Sequence, residues 1–283
     1  MTAIDWAARH LGAPVVEQHE LLGGSTSALI ALTASNGATG VLRLIINEPW
    51  RTHGVALSTR ESWTQEQLLD TDVPAPHTIA LDPAGELCGH PAHLMTLLPG
   101  RTDLSRTDDA SLTQMAELLV RIHAVMPDTP ARGYQSWAPQ VKYVVPSWAR
   151  QRTVWLSAFE LLRAEPPSFE PTFIHRDFSQ RNLLWDTGVI SGVVDWVETS
   201  TGPAWLDVAH CRTNLVLEHD VERGAAFAAA YAGLTGRAAA PYFDVMDVVG
   251  FLPTPGRPKP EAVTDPARRR RLEDHLTSVL AQL

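Results

Sequence analysis

Residues 173–195 read Phe173-Ile174-His175-Arg176-Asp177-Phe178-Ser179-Gln180-Arg181-Asn182-Leu183-Leu184-Trp185-Asp186-Thr187-Gly188-Val189-Ile190-Ser191-Gly192-Val193-Val194-Asp195. Asp186-Thr187-Gly188 can turn the chain between two short apolar strands. Asn182 and Asp195 then flank the ends of the hairpin, roughly opposite each other. Neighbouring strands lie about 4.8 Å apart, so two short oxygen-bearing side chains there can share one small hard cation. Magnesium suits such a pair, because it takes one or two protein oxygens and fills its shell with phosphate and water. Asp177 stands five positions before Asn182 in the same loop. It can face the same cleft and accept a proton from an incoming hydroxyl. Each piece alone is weak, since a His-x-Asp pair is more often structural; order, spacing and strand-turn-strand context together are specific.

Outward from this stretch, the chain changes character once. Its N-terminal part reads as β-rich: Val15–Leu22, then Gly23-Gly24-Ser25-Thr26-Ser27, then Ala28–Thr33, an Asn36-Gly37 turn and Val41–Ile46. A helix is expected over Ser58–Asp70, and a strand pair over His77–Leu81 and His93–Leu97. After Pro99-Gly100 the pattern becomes helical. Leu112, Met115, Leu119, Ile122 and Met126 recur at intervals of three and four, an amphipathic helix with one buried face. Further helices are expected at Val145–Leu162, Pro203–Leu217, Val221–Ala232 and Asp265–Leu283, and Pro253–Pro260 reads as a surface loop. The expected architecture is α+β, with a β-rich lobe over residues 1–98, a mainly helical lobe over 99–283, and a ligand cleft between them.

The bulk numbers agree with a two-lobed chain. It has 283 residues, 45% hydrophobic and 19% charged, and carries a formal net charge of −9. That charge disfavours nucleic acid and anionic membranes as general partners. The one basic run, Arg268–Arg271, is read as the wet side of a docking helix. No apolar run is long enough to span a bilayer, the N-terminus lacks a secretory pattern, and Cys88 and Cys211 are the only cysteines. A cytoplasmic setting is expected.

The segment from Phe173 to Ala209 resembles the catalytic and metal-binding segment of the aminoglycoside phosphotransferase family, whose fold is related to protein kinases. The family pattern runs His-x-Asp, five residues to Asn, a hairpin to Asp-Trp, then Gly-x4-Asp. Here Asp195-Trp196, Gly202 and Asp207 stand in those places. The resemblance implies a two-lobed protein-kinase-like fold. It implies transfer of the γ-phosphoryl group of ATP or GTP to a hydroxyl of a small molecule, with Asp177 as catalytic base and Asn182 and Asp195 as magnesium ligands. It places a phosphate-covering loop at Gly24, Ser25 and Ser27, although a Gly-Gly-Ser turn is equally an ordinary hairpin turn. It puts a phosphate-pairing cation at Arg43, where protein kinases carry lysine, and the adenine edge against the backbone near Met95 to Leu98, with Met95 and Leu97 as contacts.

The partner acid of Arg43 is read as Glu61, with Glu66 in reserve. A rival reading makes Ser58-Thr59-Arg60-Glu61 a capping box, with Glu61 only closing a helix start. His175 is expected to support the loop by hydrogen bonding, Asp207 to brace the catalytic loop or cap the next helix, and His123 to be a satisfied core histidine. Arg176, where many relatives have glycine, has no assigned role. The acceptor stays open at this level. Acids outnumber arginines between Glu198 and Asp247, which suits either a polycationic aminoglycoside or a solvated surface. Trp196 and Trp205 could line an apolar pocket for a macrolide-like molecule, and kinases of choline, homoserine or sugars share the fold. Two rivals remain from other classes: a nucleotide-binding pseudokinase, for which Arg43 speaks, and a metal-dependent hydrolase built on His175, Asp177 and Asp195.

Overall fold

The protein is described here from a computed structural model covering residues 1–21, 27–254, 260 and 263–283. It divides into two compact units. One comprises Met1–Arg101 with Leu184–Thr199, the other Thr102–Leu183 with Ser200–Leu283. The sequence division at residue 98 leaves out the excursion of Leu184–Thr199, which the first unit holds by pairing: Arg101 N donates to Trp185 O at 3.1 Å and Trp185 N to Arg101 O at 2.9 Å.

The first unit is built on an antiparallel sheet in the order β1-β2-β3-β5-β4, from β1 (Val15–Glu20), β2 (Ala28–Ala34), β3 (Thr39–Leu44), β4 (Thr78–Asp82) and β5 (Ala92–Met95). The Asn36-Gly37 turn forms between β2 and β3, with Gly37 in the left-handed region at φ 85°. Helix α1 (Ala3–Leu11), not anticipated from the sequence, starts in a Thr2–Asp5 capping box and ends at Gly12 with φ 78°. Its Trp6, Ala7 and Leu11 pack with Leu32, Ala34, Leu42, Ala92 and Leu94 as the core under the sheet. Helix α2 (Gly54–Leu68) begins four residues before the sequence pattern placed it, with Ser58 already inside: its Oγ returns to Gly54 O at 2.8 Å. The strands β7 (Leu183–Asp186) and β8 (Val189–Val193) form the expected hairpin, with Thr187 at φ 48° and Gly188 at φ 89° making the turn.

The second unit holds β6 (Pro171–Ile174) paired antiparallel with β9 (Ser200–Pro203), and α3 (Asp109–His123), α4 (Arg152–Arg163), α5 (Trp205–Glu218), α6 (Val221–Thr235), α7 (Pro241–Gly250) and α8 (Pro266–Leu280). Every residue of α5 from Trp205 to Leu217 is buried, so this helix is the axis of the unit. It packs against α6, α7 and α8.

Several expectations change here. Met126 lies beyond the end of α3 and is 90% exposed. Helix α4 starts at Arg152, not at Val145. The reason lies far away in the chain: Arg150 N and Gln151 N both donate to the Glu273 carboxylate, at 2.9 and 3.1 Å, so a side chain of α8 takes the amides that an earlier turn would have used. Arg268–Arg271 is a wet face only at Arg270, which is exposed. Arg268 binds the Glu218 carboxylate at 2.8 and 2.9 Å, Arg269 binds Val263 O at 2.7 Å, and Arg271 binds Leu217 O at 3.1 Å. Arg268 and Arg271 meet the C-terminal end of α5, where the helix dipole favours cations. Of the Pro253–Pro260 loop, residues 255–259 lie outside the described residues.

Candidate active site

In the first unit, a chain of buried polar groups starts at β3. Arg43 alternates into the sheet's covered face, and its Nη2 lies 3.2 Å from Glu61 Oε1 while its Nη1 donates to Asp195 Oδ1 at 2.9 Å. Glu61 stands in the second turn of α2 and is buried, so it is the ion-pair acid and not a helix cap; Glu66, further along the helix, faces solvent. The other Glu61 oxygen lies 3.1 Å from His93 Nδ1, and His93 is the cross-strand neighbour of Arg43 in the β3–β5 ladder. His93 Nε2 meets Thr78 Oγ1 at 2.9 Å, and Thr78 donates to Gln65 Oε1 at 2.9 Å. Burial alone would push the Glu61 carboxyl up, but the charge of Arg43 and the bond from His93 hold it below its ordinary value. The Arg43 guanidinium is likewise held above its ordinary value against burial by Glu61 and Asp195. Asp195 adopts a left-handed backbone at φ 68°, uncommon for a residue with a side chain and characteristic of places where geometry is forced by function.

The other expected nucleotide contacts in this unit fall unevenly. Gly24 and Ser25 lie outside the described residues. Ser27 is buried, and among the described residues its Oγ has no hydrogen-bond partner. Met95 sits inside the sheet, paired across with Val41 and Thr78, and its sulfur accepts from Gln65 at 3.6 Å. Leu97 lies past the end of β5 and is 40% exposed. Trp196 is fully buried and donates to Val193 O at 3.0 Å, so it belongs to the core.

In the second unit, the loop after β6 is fixed by one carboxylate. Asp207, in the first turn of α5, accepts from His175 N at 2.8 Å and from Arg176 N at 2.7 Å. His123 Nε2 approaches the same carboxylate at 3.2 Å, and His123 Nδ1 meets the Tyr231 hydroxyl at 2.7 Å. His123 is thus the satisfied core histidine expected, and Asp207 braces the loop. His175 Nδ1 accepts from Asp177 N at 3.2 Å. Arg176 is buried at φ 74°, with its guanidinium carbon 3.7 Å above the Trp137 ring and Nη2 donating to Gln135 O at 3.3 Å. Its role is therefore to stack the loop onto Trp137, which no spacing in the sequence signals.

Asp177 emerges from this braced loop half-buried. Asn182 Nδ2 donates to Asp177 O at 2.8 Å and approaches Oδ2 at 3.3 Å. Asp177 Oδ1 lies 2.9 Å from Nε2 of His210, a residue of α5 that the sequence pattern did not single out. His210 Nδ1 in turn lies 2.9 Å from Asp247 Oδ1, on α7. Burial pushes the Asp177 carboxyl up, but the bond and charge of His210, with smaller help from His175 and Asn182, leave it below the ordinary carboxylate range. Burial opposes charge on His210 too, yet Asp247 and Asp177 push it up to about 10. Two other acids of the region, Asp244 and Glu218, are also engaged, while Asp220 and Glu222 are exposed. Asp244 accepts from Arg212 at 3.1 Å and from Trp205 Nε1 at 2.7 Å, and Glu218 holds Arg268. Trp205 is therefore core, and most of the acid surplus between Glu198 and Asp247 is spent inside the fold.

The second unit thus presents Asp177 beside Asn182 on a loop braced by Asp207. The chain belongs to the phosphotransferase enzyme family, whose profile matches residues 61–242. No curated protein matches it in sequence at a significant level. Among solved structures it is similar to a thermostable mutant of aminoglycoside phosphotransferase APH(4)-Ia in ternary complex with ADP and hygromycin B, at 15% identity, TM-score 0.68, covering 99% of this chain and 98% of that one. It is also similar to the aminoglycoside-3'-phosphotransferase of type VIII, at 20% identity, TM-score 0.60, covering 88% and 99%. A candidate fructosamine-3-kinase from Thermobifida fusca YX-ER1 matches at 14% identity, TM-score 0.61, covering 99% and 98%. The fold is therefore the protein-kinase-like fold of aminoglycoside phosphotransferases.

Proposed function

We propose that the protein transfers the γ-phosphoryl group of ATP or GTP to a hydroxyl of a small molecule, with Asp177 as the base. The observation that carries this reading is the loop itself: Asp177, held below the ordinary carboxylate range, stands on backbone tied to Asp207 within the matched family segment. In the first unit, Arg43 with Glu61 is the cation that pairs with nucleotide phosphates, and buried Ser27 Oγ, without a partner among the described residues, is a donor for the same ligand.

Magnesium is assigned to Asn182 in one unit and to Asp195 in the other, each on its own evidence. The Asn182 amide nitrogen is spent on Asp177, which leaves its hard Oδ1 for a cation. Asp195 offers a carboxylate on a left-handed backbone. The ion would neutralise charge on the phosphoryl oxygens. Leu97, outside the β-ladder, is the adenine contact better placed to use its backbone; Met95 contributes from within the sheet.

A second reading of the acceptor has one observation in its favour. Asp207, Asp244, Asp247 and Glu218 are spent on internal partners, which weakens the case for a polycationic aminoglycoside and favours a small hydroxylated metabolite or a neutral antibiotic. The decisive experiment incubates hydroxylated antibiotics and metabolites with the protein, magnesium and ATP or GTP, and searches product masses for one added phosphoryl group. Nucleotide binding with no such product across the panel would favour a regulatory nucleotide-binding role.

A further inference from the structure

His210 is the least expected feature of the second unit, because it joins two carboxylates brought from different elements. It sits at the middle of α5, with Asp177 on the loop after β6 on one side and Asp247 of α7 on the other. Both ring nitrogens meet a carboxylate oxygen at 2.9 Å. An ionised carboxylate can only accept, so with both acids ionised each ring nitrogen donates and the ring is an imidazolium. The ring is also walled in: Phe251 stacks on it at 5.8 Å and 10°, and Trp137 stands edge-on at 5.2 Å. Asn214 Nδ2, 3.1 Å from Nε2, donates to the His210 carbonyl at 2.9 Å. Asp247 is buried and its Oδ2 has no hydrogen-bond partner among the described residues, so its polar commitment is to His210.

We infer that His210, oriented by Asp247, is a positioning residue for phosphoryl transfer: it pins Asp177 Oδ1 and thereby leaves Asp177 Oδ2, which Asn182 Nδ2 approaches only at 3.3 Å, to take the acceptor hydroxyl. This rests on Asp177 being the base. In that reaction the acceptor O–H bond breaks and its proton passes to Asp177 Oδ2. The oxygen–phosphorus bond forms, and the bond from γ-phosphorus to its bridging oxygen breaks with its electron pair leaving on the nucleoside diphosphate. His210 keeps both protons throughout. Its charge weakens Asp177 as a proton acceptor, which costs little where the transition state is loose and orientation matters more than early proton removal. A carboxylate–histidine pair orienting a reactive group is a recurrent arrangement, and removing such an orienting partner typically costs about 10–100-fold.

The test separates positioning from packing and from the base assignment. His210→Gln keeps a donor toward Asp177, whereas His210→Leu fills the space without one; His210→Leu combined with Asp247→Asn removes the buried charge left behind and guards against misfolding. Turnover is measured with the acceptor found by mass screening, or as phosphate release from Mg-ATP with water as acceptor. The expected order of kcat is wild type, then His210→Gln, then both leucine variants roughly ten- to hundred-fold down, with nucleotide KM within about two-fold. Nitrogen-detected NMR of the full-length protein should show two ring N–H protons on His210, with the Nε2–H signal moved by Asp177→Asn and the Nδ1–H signal retained. The inference is overturned if the folded leucine variants keep kcat within about two-fold while Asp177→Asn loses it, or if the His210 ring carries a single proton. Should Asp177→Asn keep its activity, the base assignment fails instead.

Discussion

Arg43 and Glu61 form an ion pair at 3.2 Å with side chains only 6% and 1% exposed, and Arg43 simultaneously holds Asp195 at 2.9 Å. Breaking a buried pair by removing one partner leaves an uncompensated charge, at a cost of about 3–5 kcal/mol. Glu61→Ala should therefore destabilise the protein by that order, read by chemical denaturation. Arg43→Lys should be milder for folding yet weaken nucleotide binding, because a point charge replaces a fork that reaches two acids at once. Unchanged stability in Glu61→Ala would show the pair to be dispensable.

Asp177→Asn and Asp195→Ala should fail in different ways. Asp177→Asn keeps size and polarity while losing the carboxylate, so kcat should fall by about 10²–10⁴-fold with nucleotide KM nearly unchanged. Asp195→Ala should abolish turnover and also weaken nucleotide binding in magnesium, by isothermal titration. Turnover of Asp177→Asn within a few-fold of wild type would remove it from the base role. Near-normal activity of Asp195→Ala would remove Asp195 from the metal site.

Two histidines shape stability against pH in opposite directions. His210 is pushed up to about 10 from 6.5, so its contribution is complete below pH 6.5 and is lost as pH rises through 10. His275 is buried, neither ring nitrogen has a partner among the described residues, and burial pushes it down to about 3 from 6.5. The unfolded chain takes up that proton first, so stability should fall from pH 6.5 toward 3. Asp244, raised by burial to about 6 from 3.8, works against this between those two values. His275→Leu should raise Tm at neutral pH and flatten the acid side of the profile, since an unsatisfied buried polar group is removed. A melting profile parallel to wild type from about pH 7 to 4 would contradict this.

Gly100 holds φ 93°, and a β-carbon there would come 2.7 Å from Trp185 O. Gly100→Ala should cost about 1–3 kcal/mol through backbone strain, more if the Arg101–Trp185 bridge parts. Denaturation of the variant beside Gly37→Ala, whose β-carbon would meet nothing, separates the clash from the strain of positive φ.

The loop carrying Asp177 is legible in the amino-acid sequence because its information is local. Asp177, Asn182 and the Thr187-Gly188 turn lie within a dozen residues, where spacing and turn chemistry dictate geometry. The α+β class is legible for the same reason, from periods of two and of three to four. What the sequence left open depended on residues far apart in the chain. Arg43 and Asp195 are 152 positions apart, and whether Glu61 capped a helix or met Arg43 turned on where α2 begins. Glu273 sets the start of α4 from 123 positions away. His210 and Asp247 looked like a helix residue and a surface acid, and only the packing of α5 against α7 joined them to Asp177. Local pattern encodes which element a residue joins and which face it takes. Which two buried charges meet is decided by how the elements pack, where burial makes every unpaired charge costly.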